Sequence, residues 1–301
     1  NLNYALCTNN LGSIDKCNND VVTTKKFDYV FIGDSFVEGL GIEFNDTFFG
    51  QLKKKYFNKK LLNLGVSGYS SSIYYNKLKY FYKNGYFFSE IFIFLDTSDI
   101  FDEIYRYKET SDGKISFNLN NDQINDLLDG KKKIVKNFHR KFPGTFFLIS
   151  LIIDILPNFK ILDNYYLQLM INHTFGKWSY GNSDIYTLEN VNRSLIINSS
   201  NIDKIINLVN QNNTKVTFVL YPWPGHLFYE NIDNKYNTYW TNFFKEKNIN
   251  VINLNDDFYE KLKLNGSKKT ILEYYILGDV HFNKKGHKII YKNLDNFISK
   301  K

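Results

Sequence analysis

The sequence predicts an α/β fold: a parallel sheet wound by right-handed crossover helices and interrupted by one long, mostly helical insertion. Three observations predict it. Short apolar runs alternate with amphipathic stretches from residue 27 to residue 99, and the alternation resumes at residue 215 and continues to the end. The runs also close on glycine or small polar residues, as strands do when their carboxyl ends open onto a ligand site. A length of 301 residues suits one enlarged domain.

Residues 1–26 form an N-terminal segment that carries both cysteines, Cys7 and Cys17. No further Cys or His lies close in sequence, so no metal site is expected there. A local disulfide and two free thiols both remain open; a disulfide would place the protein outside the cytoplasm. Residues 27–32 are apolar, rich in aromatic and β-branched side chains, and run into Gly33-Asp34-Ser35-Phe36, which reads as a buried strand and its turn. Residues 46–57 read as a helix capped by Asp46, with Phe49, Leu52 and Tyr56 at helical spacing. A second strand, 61–66, is closed by Ser67-Gly68, and Ser70, Ser71 or Ser72 caps the helix that follows. A third strand, 91–95, enters Asp96-Thr97-Ser98-Asp99. Residues 100–195 lack clear strands and are read as the insertion, a lid, a substrate-binding cap or a structural appendage. Beyond it come a strand at 215–221, a helix at 234–247, a strand at 250–254 and a closing helix at 284–299.

Composition removes several function classes. Hydrophobic residues at 43% and charged residues at 23% exclude wholesale disorder, and only 4 Pro and 17 Gly exclude a collagen-like chain. The 27 Phe and 23 Tyr suffice for a large core and an aromatic-lined cleft. A net charge of +7 invites a nucleic-acid reading, but Arg appears only at 106, 140 and 193, and the lysines are scattered. Nucleic-acid readers concentrate arginine on one face, so solvated faces are the reading here; Arg106 and Arg193 could meet an acidic sugar, with surface ion pairs as the default. No apolar run reaches the ~18 residues of a membrane span; the longest, 146–156, includes Asp154. The chain begins at Asn1 and not at Met, so an upstream segment is expected, which could carry an export signal or an anchor.

Ser35 just past the first strand, and Asp279 and His281 two apart near the end, supply a nucleophile, an orienter and a base. With Gly33-Asp34-Ser35-Phe36, Gly68 after the second strand and Asp279-Val280-His281, the chain resembles the SGNH (GDSL-like) hydrolases. The wider run 32–41 and Asn63-Leu64-Gly65-Val66-Ser67-Gly68-Tyr69-Ser70 look like bacterial members tied to polysaccharide O-acylation and deacylation. The resemblance covers residues 27–99 and 215–301. It implies a flavodoxin-like three-layer α/β/α sandwich and a serine enzyme acting on carbohydrate acyl esters, as O-acetylesterase or O-acetyltransferase. Ser35 would be the nucleophile, His281 the base and Asp279 its orienter, with the N–H groups of Ser35 and Gly68 facing the oxyanion. No cofactor and no metal are implied. Candidate partners are the carbohydrate substrate and a membrane-bound acyl-donor protein in a periplasmic or other extracytoplasmic setting. One block departs from the family pattern: Ser98 stands where an Asn carboxamide usually provides a third oxyanion donor, and a hydroxyl reaches less far, so either Ser98 serves as that donor, directly or through water, or another group compensates, or the enzyme is slow. The rival reading is an SGNH-fold carbohydrate-binding module with weak or no turnover. Trp223 and His226, at the end of the strand at 215–221, are candidate substrate contacts; His139, His173 and His287 read as structural or surface histidines.

Overall fold

Successive residues of the central strands send their side chains to opposite faces, and both faces are apolar. Val30, Ile32, Ile91, Ile93, Phe218 and Leu220 fill one hydrophobic core, while Phe31, Phe92, Phe94 and Val219 fill the other. A sheet buried on both sides needs helices on both sides. In the computed structural model, which describes residues 4–18, 21–119, 124, 160–181, 185–229 and 234–300, this is what the chain builds. One layer holds helices Phe48–Lys55, Asn255–Asn265 and Lys284–Ser299, through Phe49, Leu52, Phe258 and Leu294. The opposite layer holds Ser71–Lys83, Leu188–Gln211 and Lys235–Glu246, through Tyr74, Leu78, Ile202, Ile205 and Trp240. The fold is a three-layer α/β/α sandwich.

Taking the strands as β1 (Cys7–Thr8), β2 (Ile14–Asp15), β3 (Lys26–Ile32), β4 (Leu61–Asn63), β5 (Phe87–Phe94), β6 (Tyr107–Glu109), β7 (Ile115–Phe117), β8 (Lys215–Leu220) and β9 (Asn250–Asn253), the main sheet runs β1-β2-β4-β3-β5-β8-β9. The strands β4, β3, β5, β8 and β9 are parallel, with Val30 opposite Leu62 on one side and Ile91 on the other. The short β1 and β2 add an antiparallel edge. Cys7 and Cys17 are joined by a disulfide, with Cα atoms 5.2 Å apart.

Several elements differ from expectation. The helix Phe48–Lys55 is capped by Thr47, whose Oγ accepts from the Gly50 N–H at 3.0 Å. Asp46 instead closes a 3₁₀ turn, Phe44–Asp46, immediately before it. None of Ser70, Ser71 and Ser72 caps the next helix through its own side chain. Oε1 of Glu103 does so from a distant segment, accepting from Ser72 N–H at 2.9 Å and from the hydroxyls of Ser70 and Ser71 at 2.7 and 3.2 Å. A single carboxylate thus satisfies one free N-terminal N–H of that helix and gathers two serine hydroxyls. The helix Leu188–Gln211 begins inside the stretch read as insertion but is the crossover between β5 and β8, packed on Ser71–Lys83. A β6–β7 hairpin also lies in that stretch. Residues 146–156, together with His139 and Arg140, lie outside the described residues.

Candidate active site

The carboxyl ends of β3, β4, β5 and β8 open onto one cavity of about 260 Å³. After β3 the chain turns into the short helix Ser35–Glu38, with Asp34 at its N-cap accepting the Phe36 N–H at 3.0 Å. This cap fixes Ser35 as the first helical residue, on the cavity wall.

His281 reaches Ser35 from the far end of the chain. The Tyr275–Phe282 pair closes a reverse loop in which Gly278 takes a φ of +80°. Within it the Asp279 N–H donates to the Ile276 carbonyl at 2.9 Å, and the His281 N–H donates to Asp279 Oδ1 at 3.1 Å. The same Oδ1 lies 2.5 Å from His281 Nδ1, and His281 Nε2 lies 2.7 Å from Ser35 Oγ. An ionised carboxylate only accepts, so Nδ1 carries the proton and Nε2 is left to accept from the serine hydroxyl. Burial alone would raise the Asp279 carboxyl, but the hydrogen bond and charge of His281 and two backbone N–H groups outweigh it and hold it at about 2. Phe36 backs the imidazole, ring centre to ring centre 4.7 Å. The turn that an Asp-x-His pair requires is therefore present.

Gly68 lies on the same wall with a φ of +76°, in the left-handed region. Its carbonyl accepts from the Tyr107 hydroxyl at 2.7 Å. The neighbouring Ser67 N–H is taken by the Glu38 carboxylate at 2.5 Å. The N–H groups of Ser35 and Gly68 have no acceptor among the described residues. Ser98 lines the cavity too: its N–H donates to Asp96 Oδ1 at 2.7 Å, and its hydroxyl makes no hydrogen bond to a described residue.

The two substrate-contact candidates separate. Trp223 is on the wall, held by an indole N–H donated to Asp96 Oδ2 at 2.8 Å. His226 is not: it is fully buried, Nδ1 accepting from the Trp223 N–H at 3.0 Å and Nε2 meeting Ser179 Oγ at 2.7 Å. Burial pushes its imidazole down to about 3, and its place is structural. His287 is likewise buried, and its Nδ1 accepts from the Phe48 N–H at 3.3 Å.

His173, Phe175, Arg106 and Asp102 also line the cavity and were not assigned to the site from sequence. His173 stands against Trp223 and Phe175, and burial brings its imidazole to about 4, the charge of His281 adding to this against that of Asp279. Arg106 is no surface residue: its Nε pairs with Asp102 Oδ1 at 2.9 Å, and both line the cavity. Burial raises Asp34 and Asp102 on the wall and Asp99 behind it, with Asp96 adding to each. A larger hollow of about 840 Å³, between Trp178, Leu195 and Tyr239, contains no member of the Ser-His-Asp chain.

No family model matches the chain, and no curated protein does. Among solved structures it is similar to a member of the lipolytic protein G-D-S-L family from Veillonella parvula, at 12% identity and a TM-score of 0.48 over 91% of this chain and 99% of that one. It is also similar to an acetyl xylan esterase at 12% identity and a TM-score of 0.49, over 90% of this chain and 100% of the other. An acetylxylan esterase from Geobacillus stearothermophilus is similar at 12% identity and a TM-score of 0.45, over 89% of this chain and 92% of that one.

Proposed function

We propose that the protein is a serine-dependent acyl-ester enzyme acting on O-acetyl groups of carbohydrate through an acyl-Ser35 intermediate. The observation that carries this reading is the continuous contact from Asp279 through His281 to Ser35 Oγ at the mouth of a cavity with two free backbone donors. That arrangement removes the serine proton as the oxygen attacks and offers donors where negative charge develops. The cavity's about 260 Å³ favours a short acyl group, since pockets for drug-sized ligands begin near ~300 Å³. Trp223 and Phe175 supply flat apolar surface on which a sugar ring can stack.

Water or a second sugar hydroxyl can discharge the acyl-serine, giving esterase or transferase. For the transferase branch we propose a membrane-bound acyl donor in an extracytoplasmic compartment, a setting with which the Cys7–Cys17 disulfide agrees. The test has two arms. A fluorophosphonate probe should label Ser35 in the wild type; absence of label would favour a binding module. Incubation with an acetyl ester, with and without oligosaccharide, then follows acetate against acetylated sugar, and the ratio assigns the acceptor.

Gly68→Ala should weaken both fold and turnover. The left-handed backbone costs an L-residue about 1–2 kcal/mol, and the new Cβ would stand 2.3 Å from Arg106 Nη1. A lower unfolding free energy, with kcat reduced more than 10-fold on the order of one lost donor, is the expected outcome of denaturant titration and ester kinetics.

A further inference from the structure

Ser98 carries a short hydroxyl where the family pattern has a carboxamide, and a cation, Arg106, lines the same cavity. The guanidinium of Arg106 packs against the Cα of Gly68, its Nη1 2.3 Å and its Cζ 3.4 Å from the point a Gly68 Cβ would occupy. The absence of a side chain at 68 is what admits it. Arg106 ends a π-helical turn, Asp102–Arg106, of a kind often found at functional sites. Asp102 anchors the fork at Nε, at 2.9 Å. The guanidinium also donates a hydrogen bond to the Tyr107 hydroxyl, which itself donates to the Gly68 carbonyl, and Arg106 lines the cavity with its side chain 23% exposed.

We propose that Arg106 is the third oxyanion donor of this site, its Nη1 doing beside Gly68 what a carboxamide at position 98 would otherwise do; this rests on the acyl-serine reading above. As Ser35 Oγ bonds to the ester carbonyl carbon, its proton passes to His281 Nε2 and the carbonyl π pair moves onto oxygen. That oxygen accepts from the N–H groups of Ser35 and Gly68 and from Arg106. Collapse breaks the bond to the alcohol oxygen, which leaves with the proton from His281. A guanidinium brings charge as well as a donor, so it favours the anionic tetrahedral state over the neutral ester and acts on kcat.

The experiment measures kcat and KM on p-nitrophenyl acetate, an uncharged ester, for wild type, Arg106→Ala, Arg106→Lys, Arg106→Gln and Ser98→Ala, with thermal unfolding of each. Arg106→Ala should lose about 100-fold in kcat while KM stays within about threefold. Arg106→Lys should recover part of the loss, and millimolar guanidinium chloride should partly restore Arg106→Ala in a saturable way. A kcat loss for Ser98→Ala as large as that of Arg106→Ala would assign the third donor to Ser98 and overturns the proposal. If Arg106→Ala does not fold, Arg106→Lys and Arg106→Gln carry the comparison, the charged variant being the faster. An undiminished kcat, or a loss in KM alone, overturns the proposal. So does a loss seen only with negatively charged esters, which would make Arg106 a reader of substrate charge. A wild type that neither turns over the ester nor labels at Ser35 removes the acyl-serine reading itself, whereas an active wild type with an equally active Arg106→Ala removes this inference alone.

Discussion

Ser35→Ala should abolish turnover of an acetyl ester and labelling by a fluorophosphonate, with a kcat loss on the order of 10⁴-fold or more, as in other serine triads. The fold should survive. Ser35 Oγ faces the cavity, and its contacts are to the His281 ring at 2.7 Å and, more loosely, to Asp34 at 3.5 Å. Neither is a core contact, and the N-cap bond from Phe36 to Asp34 does not involve the hydroxyl. Thermal unfolding within a few degrees of wild type, alongside the kinetic loss, is the expected pair of results. Near wild-type turnover would remove Ser35 as nucleophile.

Asp279→Asn should come next, with a kcat loss on the order of 10³–10⁴-fold and little change in KM. An amide can offer its own N–H to Nδ1, and the imidazole then adopts the wrong tautomer toward Ser35. The same substitution has a signature in acid. Asp279 is held at about 2 in the folded protein against 3.8 when free. A carboxyl depressed on folding stabilises the native state above its unfolded value and loses that contribution as pH falls through its folded value. The stability gap between wild type and Asp279→Asn should therefore be full above about pH 4 and close as pH falls toward 2. Urea titrations across this range measure it. A gap independent of pH would mean that the carboxylate is not held by His281.

The sheet was legible because its strands are short apolar runs that end on glycine and polar turns; residues 27–32 and 215–221 each lie within a residue or so of the observed strand. The helix Lys284–Ser299 carries a clean amphipathic period and its own Asn283 cap, so both ends could be read. The contact of Asp279 with His281 needs a turn, and the structure puts Gly278 in it at a φ of +80°. What failed was whatever depends on distant partners. Helix Ser71–Lys83 is capped by Glu103, which no local motif reveals. Helix Leu188–Gln211 is rich in Asn and Ser, and Ser194, Asn198 and Asn201 are buried in it, so its polar residues blurred the boundary with the insertion. Arg106 and His173 looked like isolated charges because their neighbours Gly68 and Trp223 lie far away in sequence. His226 misled for the opposite reason: it follows a strand end, but its ring folds inward beneath Trp223.

The Glu103 carboxylate, which gathers Ser70, Ser71 and Ser72, has a consequence for how this scaffold can diversify. It rivets the segment after β5 to the segment after β4 one turn ahead of Arg106, so that Gly68, Ser98 and Arg106 belong to one mechanical block. Among the described residues between Tyr107 and Leu188, Leu167, Met170, Ile171 and Trp178 join the two cores of the sandwich before the chain enters the crossover helix. The described residues of this stretch contribute only His173 and Phe175 to the cavity wall. The spacing of Gly68, Ser98 and Arg106 is thus fixed independently of the stretch that brings in His173 and Phe175, so that changes in that part of the wall leave this block in place.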